Sequence, residues 1–183
     1  FREEPMLKYL LIAVLVLVAI VSAILIYAST KPDHVRFERS ILIDAAPEEI
    51  YPLIENFHAW PAWSPYENRD PDMQRTYSGA EKGEGAAYAW SGDGSIGSGH
   101  MEIVETDEPS KIVIALVFTA PMKAENQAIF TLEPEGAATR VTWAMEGEAN
   151  LISRTAGLFI DMDKMVGTDF EAGLEKLKSV VEG

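Results

Sequence analysis

The chain has 183 residues, 29 acidic against 15 basic side chains, a formal net charge of −14 and no cysteine. Thiol nucleophiles, thiolate metal sites and disulfides are therefore excluded. An acidic domain repels phosphate backbones, so nucleic acid is not an expected partner, and the plainest role of the charge is solubility.

The run from Tyr9 to Tyr27 contains no Asp, Glu, Lys, Arg or His. Roughly 20 apolar residues in helix cross a bilayer's hydrocarbon core, and a helix satisfies its own backbone groups there. Leu10, Val14, Leu17, Val21 and Leu25 mark the span, and Tyr9 and Tyr27 sit where amphipathic rings favour the headgroups. A signal peptide has a shorter apolar core of roughly 7–15 residues. Ala28-Ser29-Thr30 is compatible with cleavage, but the length of the run favours an uncleaved anchor. Met6-Leu7-Lys8 would itself make an ordinary start. The expected organisation is a flank at 1–8, a transmembrane helix at 9–30, a juxtamembrane linker at 31–36 and one domain at 37–183. Arg2 and Lys8 before the span nearly balance Lys31, Arg36 and Arg39 after it. The short flank and large C-terminal domain point to a single-pass protein with a periplasmic or extracytoplasmic domain.

After Pro32, the residues Val35, Phe37, Ile41 and Ile43 alternate as in a strand. Asp44-Ala45-Ala46-Pro47-Glu48-Glu49 is a helix start, with proline in the first turn and acids near the N-terminus. Ile50, Leu53 and Ile54 share one face of that helix, which is expected to end near Asn56. Trp60-Pro61-Ala62-Trp63-Ser64-Pro65 implies a helical turn or tight loop. Strands are predicted at Met73–Tyr77, Gly85–Trp90, Gly99–Asp107, Lys111–Phe118, Glu125–Glu133 and Thr139–Glu148, separated by glycine and proline. Leu158, Met162, Met165, Val166, Phe170, Leu174, Leu177 and Val181 then recur at helical spacing. A curved antiparallel sheet with one apolar face needs such a helix as its cover.

Several motifs fail on context. Gly92 to Gly97 spells G-x-G-x-x-G, but strand-like Met101, Ile103 and Val104 follow, so a hairpin is expected instead of a dinucleotide loop. His34, His58 and His100 are scattered, which makes a surface or packing role the better reading of all three. Asp161 and Asp163 diverge on a helix, which leaves a solvated face as the better reading of Asp161, Asp163 and Asp169. No triad or carboxylate pair stands out. No catalytic residue, metal or cofactor is assigned.

The segments Arg39-Ser40-Ile41 through Ala46-Pro47-Glu48, the tryptophan–proline stretch at 60–65, Tyr77-Ser78-Gly79 and Ala89-Trp90 together resemble the SRPBCC superfamily. So do Gly97-Ser98-Gly99-His100-Met101, Thr142-Trp143, Met165-Val166-Gly167, Phe170 and Gly173-Leu174. This is the START-like or Bet v 1-like helix-grip group, and the similarity is to its bacterial polyketide cyclase/dehydrase branch. The resemblance implies an α+β fold in which about seven antiparallel strands curve around a long C-terminal helix over a deep apolar cavity. It also implies apolar ligands such as lipids, sterols or polyketides.

The cavity candidates are Trp60, Trp63, Tyr88, Trp90, His100, Trp143, Met162, Met165 and Phe170. Bulky, polarizable side chains suit an adaptable pocket, with Tyr88 and His100 as its polar groups. Gly157, Gly167 and Gly173 weaken the helix by about 1 kcal/mol each relative to alanine. They imply close backbone approach or a mobile gate, or a simple C-cap near Gly157. Three functions follow, in order. The first is a membrane-anchored module binding an apolar small molecule. The second is an accessory single-span subunit of a membrane protein complex, and the third a cyclase or dehydratase acting on an apolar carbonyl compound.

Overall fold

The computed structural model describes residues 4–183; residues 1–3 of the expected flank lie outside the described residues. Two compact units are present: α1 through Val35 together with Ala149–Asp161, and Arg36–Glu148 together with Met162–Gly183.

In the first unit, α1 runs Glu4–Ser29, beginning before the predicted span at residue 9. Its Met6–Ser29 stretch is long and apolar enough to cross a membrane. Leu10, Val14, Leu17, Val21 and Leu25 are all exposed. A short helix, α3 (Leu151–Ala156), belongs to the same unit. The predicted apolar stripe began at Leu158, but the helix does not: α3 closes at Gly157, its C-cap, and α4 starts at Met162. Gly157 is thus the simple C-cap that was one of its two readings.

The second unit is a helix-grip fold. Seven strands, β1 (His34–Ile43), β2 (Gln74–Gly79), β3 (Ala86–Ser91), β4 (Ser98–Asp107), β5 (Lys111–Ala120), β6 (Ala124–Glu135) and β7 (Ala138–Glu148), form one sheet in the order β1-β7-β6-β5-β4-β3-β2. Every consecutive pair from β2 to β7 is antiparallel. Helix α2 (Pro47–Glu55) starts on Pro47, with the Glu49 side chain accepting from the Ala46 amide at 3.3 Å. These features answer the orphan N–H groups of a first turn. A 3-10 helix follows at Phe57–Ala62. The glycine-rich segment is the β3–β4 hairpin: Gly92 N–H donates to the Gly97 carbonyl at 2.9 Å, and Gly97 takes φ +64, a backbone that L side chains resist.

Helix α4 (Met162–Glu182) buries Val166, Gly167, Phe170, Gly173, Leu174 and Leu177 along one stripe. One hydrophobic cluster joins this stripe to the inner face of the sheet and to α2.

Candidate functional site

Alternation along each strand selects what faces inward. Tyr88 and Trp90 on β3, Met101 on β4, Ile112 and Ile114 on β5, Phe130 and Leu132 on β6, and Val141 and Trp143 on β7 are buried. Register sets Trp90 opposite Gly99 and Phe130 opposite Trp143. A Cβ at Gly99 would stand 2.5 Å from the Trp90 ring, so glycine there lets that indole lie across β4.

Trp60 and Trp63 come from the loop after α2, and their indoles have a local task. Trp60 Nε1–H donates to the Ile54 carbonyl at 3.0 Å and Trp63 Nε1–H to the Leu53 carbonyl at 2.9 Å. These are carbonyls of the last turn of α2, which lack partners within the helix. The tryptophan–proline stretch is therefore a side-chain cap that also fixes two rings in the core. Trp90 Nε1–H reaches the Ile96 carbonyl at 3.3 Å.

Trp143 is at the centre. Phe170 of α4 stacks on it at 4.2 Å with the planes 9° apart, Phe130 stacks at 5.0 Å, and Trp63 meets it edge-on at 5.7 Å. Its Nε1–H is buried without a hydrogen-bond partner, unlike those of the other three tryptophans. Polar groups in a protein core are nearly always paired, so this donor stands out.

A second polar group lies in the same core. Glu67, buried, accepts from the Tyr88 hydroxyl at 2.7 Å and from Arg75 Nε at 2.7 Å, while Arg75 Nη2 donates to the Glu67 carbonyl at 2.6 Å. Burial and the bond to Glu67 push the Tyr88 phenol above its ordinary range. Tyr88 is thus a protonated donor at neutral pH, bonded to a side chain that Arg75 also engages.

Polar contacts fasten α4 over this core. Arg39 donates to Glu171 at 2.8 Å and to Asp163 at 3.0 Å, and Arg69 pairs with Asp169. Lys178 Nζ donates to the Leu42 carbonyl at 2.8 Å, and the Asp44 amide to Glu182 at 2.8 Å. Gly167 leaves room for the Arg39 guanidinium; a Cβ at Gly173 would stand 2.8 Å from both Pro65 and Trp143. Both glycines serve close approach, one of the two readings given to them. Asp163 and Asp169, read from the sequence as solvated acids, are ion-pair partners. Among the described residues no group of three or more His, Asp or Glu side chains is arranged to hold a metal.

Trp60, Trp63, Tyr88, Trp90, Trp143 and Phe170 therefore belong to one cluster. His100 does not: with Glu102 it is exposed, alternating with buried Gly99, Met101 and Ile103. Met165 is 52% exposed on α4, and Met162, at its first position, is only half-buried. Tyr88 and His100, proposed together as polar groups of one pocket, do not converge. Rings occupy the space where a deep cavity was expected. A groove of about 470 Å³ instead lies beside it, bordered by Pro61, Trp63, Pro65 and Asn68 on the loop and by Ala172 and Lys176 on α4. Glu67 carried no sequence signal, because it lies outside any periodic or motif context, and Arg75 sits in the predicted Met73–Tyr77 strand, where nothing local marks it as the partner of a buried acid.

Solved structures share this architecture. A protein of Chromobacterium violaceum matches with a TM-score of 0.57 at 16% identity, over 84% of this chain and 99% of that one. One from Thermobifida fusca gives 0.59 at 19%, over 78% and 90%. One from Mycobacterium smegmatis gives 0.56 at 16%, over 80% and 90%. At such identities the likeness is one of fold. No curated protein matches the sequence significantly. The profile of the family described as polyketide cyclase / dehydrase and lipid transport matches residues 34–182, the whole sheet with helices α2, α3 and α4, and the chain belongs to that family.

Proposed function

We propose that the domain binds an apolar small molecule, lipid-like or polyketide-like, beneath α4, and that α1 tethers the domain to a bilayer. The observation that carries this reading is the unpaired Trp143 Nε1–H amid stacked rings. A buried donor without a partner costs about 1–3 kcal/mol. A ligand carrying one carbonyl, ester or ether oxygen would remove that cost while its apolar body replaced ring contacts. Ligand sites of this class are mostly apolar with few polar anchors, and the family's breadth, from polyketide chemistry to lipid transport, supports the same class.

The groove between the Pro61–Asn68 loop and α4 is the natural approach, since Trp63 borders it and contacts Trp143. Entry requires α4 to shift, and the contacts it would release are the Arg39 and Arg69 ion pairs and the Gly173–Pro65 approach. The first two are surface pairs, which hold weakly.

Native mass spectrometry of the full chain, mildly extracted from its own membrane, tests this. A retained small apolar mass is expected, with less retained by a folded Trp143→Phe variant, which keeps the ring but lacks the N–H. A chain that retains nothing, or a Trp143→Phe chain that retains as much, defeats the assignment of this donor.

A further inference from the structure

Within the first unit, residues 149–160 stand out by composition: Arg154 is their only charged residue, in a chain with a net charge of −14. Ile152 is 73% exposed, Phe159 74% and Ile160 50%. Contiguous exposed apolar side chains mark contact surfaces.

Most of the polar side chains of this segment are turned on the segment itself; Arg154, whose Nε is buried without a hydrogen-bond partner, is the exception. The Asn150 side chain accepts from the Ser153 amide at 2.9 Å and the Ser153 hydroxyl at 3.2 Å, and Thr155 Oγ1–H donates to the Leu151 carbonyl at 2.7 Å. The amides of Arg154, Gly157, Leu158, Phe159 and Ile160 all donate to carbonyls between Asn150 and Ala156, at 2.9–3.2 Å. Backbone groups that meet hydrocarbon must be satisfied within the chain, and these five amides are.

Arg154 fixes its level along α1. Nη1 donates to the carbonyls of Ser29 (3.3 Å) and Lys31 (3.1 Å), where the helix dipole favours a cation. Ala28 is fully buried, and a groove of about 370 Å³ opens beside it, lined by Leu25, Leu151, Ile152, Thr155, Ala156 and Phe159. Leu25 is four residues before Ser29, hence about 6 Å down the axis at 1.5 Å per residue. Amphipathic segments lie about 5–10 Å into the headgroup–acyl boundary. Tyr27 and Lys31, bonded at 3.0 Å, are an aromatic–lysine pair of the kind that settles at that boundary.

We propose that residues 149–160 form a foot that inserts Ile152, Phe159 and Ile160 into the bilayer leaflet around the C-terminal end of α1, with acyl chains filling the Leu25–Phe159 groove. This rests on the reading of α1 as a membrane span. The occupant is lipid because the patch is continuous with the exposed apolar flank of α1 itself. With no acidic or basic side chain in the inserted face, insertion is expected to be independent of lipid charge.

The absence of cysteine makes the test direct. Full-length chains carrying Leu17→Cys, Ile152→Cys, Phe159→Cys or Glu81→Cys are labelled with an environment-sensitive fluorophore. Each is reconstituted into phosphatidylcholine vesicles whose acyl chains carry a quencher at a shallow or a deep position. The expected result is blue-shifted emission at 152 and 159 with stronger shallow than deep quenching, strong deep quenching at 17, and neither effect at 81. Adding phosphatidylserine should leave these values unchanged. Water-like emission at 152 and 159, with 17 still quenched, overturns the foot and leaves the span intact. A blue shift at 152 and 159 without lipid quenching means protein covers the patch, and also overturns it. Loss of quenching at 17 as well overturns the span on which the foot depends.

Discussion

Around Trp143 apolar side chains are covered by other parts of the same chain, whereas around Phe159 and along α1 they face outward. The two regions differ already in sequence: apolar residues around Trp143 alternate with polar ones at strand or helix spacing, whereas α1 has no charged residue from Tyr9 to Tyr27, and this decides what each needs as a cover. The sheet and α4 offer each other complementary faces, and burial of that area drives them together at roughly 25 cal/mol per Å². Helix α1 is apolar on all sides, which no single neighbour can bury, and such a helix calls for an apolar solvent. The two regions differ also in their polar groups. The inner core leaves the Trp143 indole N–H unpaired among stacked rings. In segment 149–160 the amides of Arg154 and of residues 157–160 and the hydroxyls of Ser153 and Thr155 bond back to the segment, and only Arg154 Nε is left buried without a partner.

This contrast can be broken at four points, in decreasing order of effect. Replacing Val14, Leu17 and Val21 together by arginine costs about 7.5–10.5 kcal/mol of insertion, at roughly 2.5–3.5 each near a span centre. The chain should then leave the membrane fraction on alkaline extraction; retention would show that α1 is not what holds it. Trp143→Ala should destabilise the domain by about 3–5 kcal/mol, as large aromatic truncations do. Urea unfolding measures this, and a loss under about 1 kcal/mol would mean that the stack around Trp143 is loose.

Tyr88→Phe should cost about 1–3 kcal/mol in the same assay, because it strips one hydrogen bond from buried Glu67. A neutral result would place water or another donor at that carboxylate. The smallest effect is expected from Arg39→Gln, which removes exposed pairs to Asp163 and Glu171. The hydrogen bond from Arg39 holds the Asp163 carboxyl below its ordinary value. A folded-state pKa depressed in this way contributes stability above the unfolded value near 3.8, and that contribution disappears as pH falls through the folded value. The gap between wild type and variant should therefore narrow below about pH 4 and also shrink with salt. A gap constant from pH 3 to 7 would assign the effect of Arg39 to packing over Gly167 instead.

Much of the fold was legible in the residues. The period-two runs gave each strand to within a few residues, the Val166–Phe170–Leu174–Leu177 stripe gave α4, and the strand after Gly97 removed the dinucleotide reading. The site was legible only in part. Tryptophans and Phe170 announce themselves by size, so their gathering was expected, but nothing local separates a ring that caps α2 from one that waits for a ligand. His100 takes the surface position read for it as a histidine, and its reading as a polar group of the pocket fails: one step along β4 reverses the face, and Gly99 and Met101 take the inside. Met165 was misplaced because it neighbours Val166, and adjacent helical positions point about 100° apart.

The sequence by itself determined the apolar helix, the number of strands and the long covering helix, because these follow from periodicities of two and 3.6 that near neighbours carry. Only the tertiary structure decided that Glu67 lies beneath Tyr88, that Trp143 alone among the four tryptophans lacks a hydrogen-bond partner, that Arg39 and Arg69 fasten α4, and that Arg154 joins residues 149–160 to the end of α1. Each of those depends on which groups meet across gaps of 8 to 132 residues, and such meetings are set by the packing of whole elements and leave no local pattern.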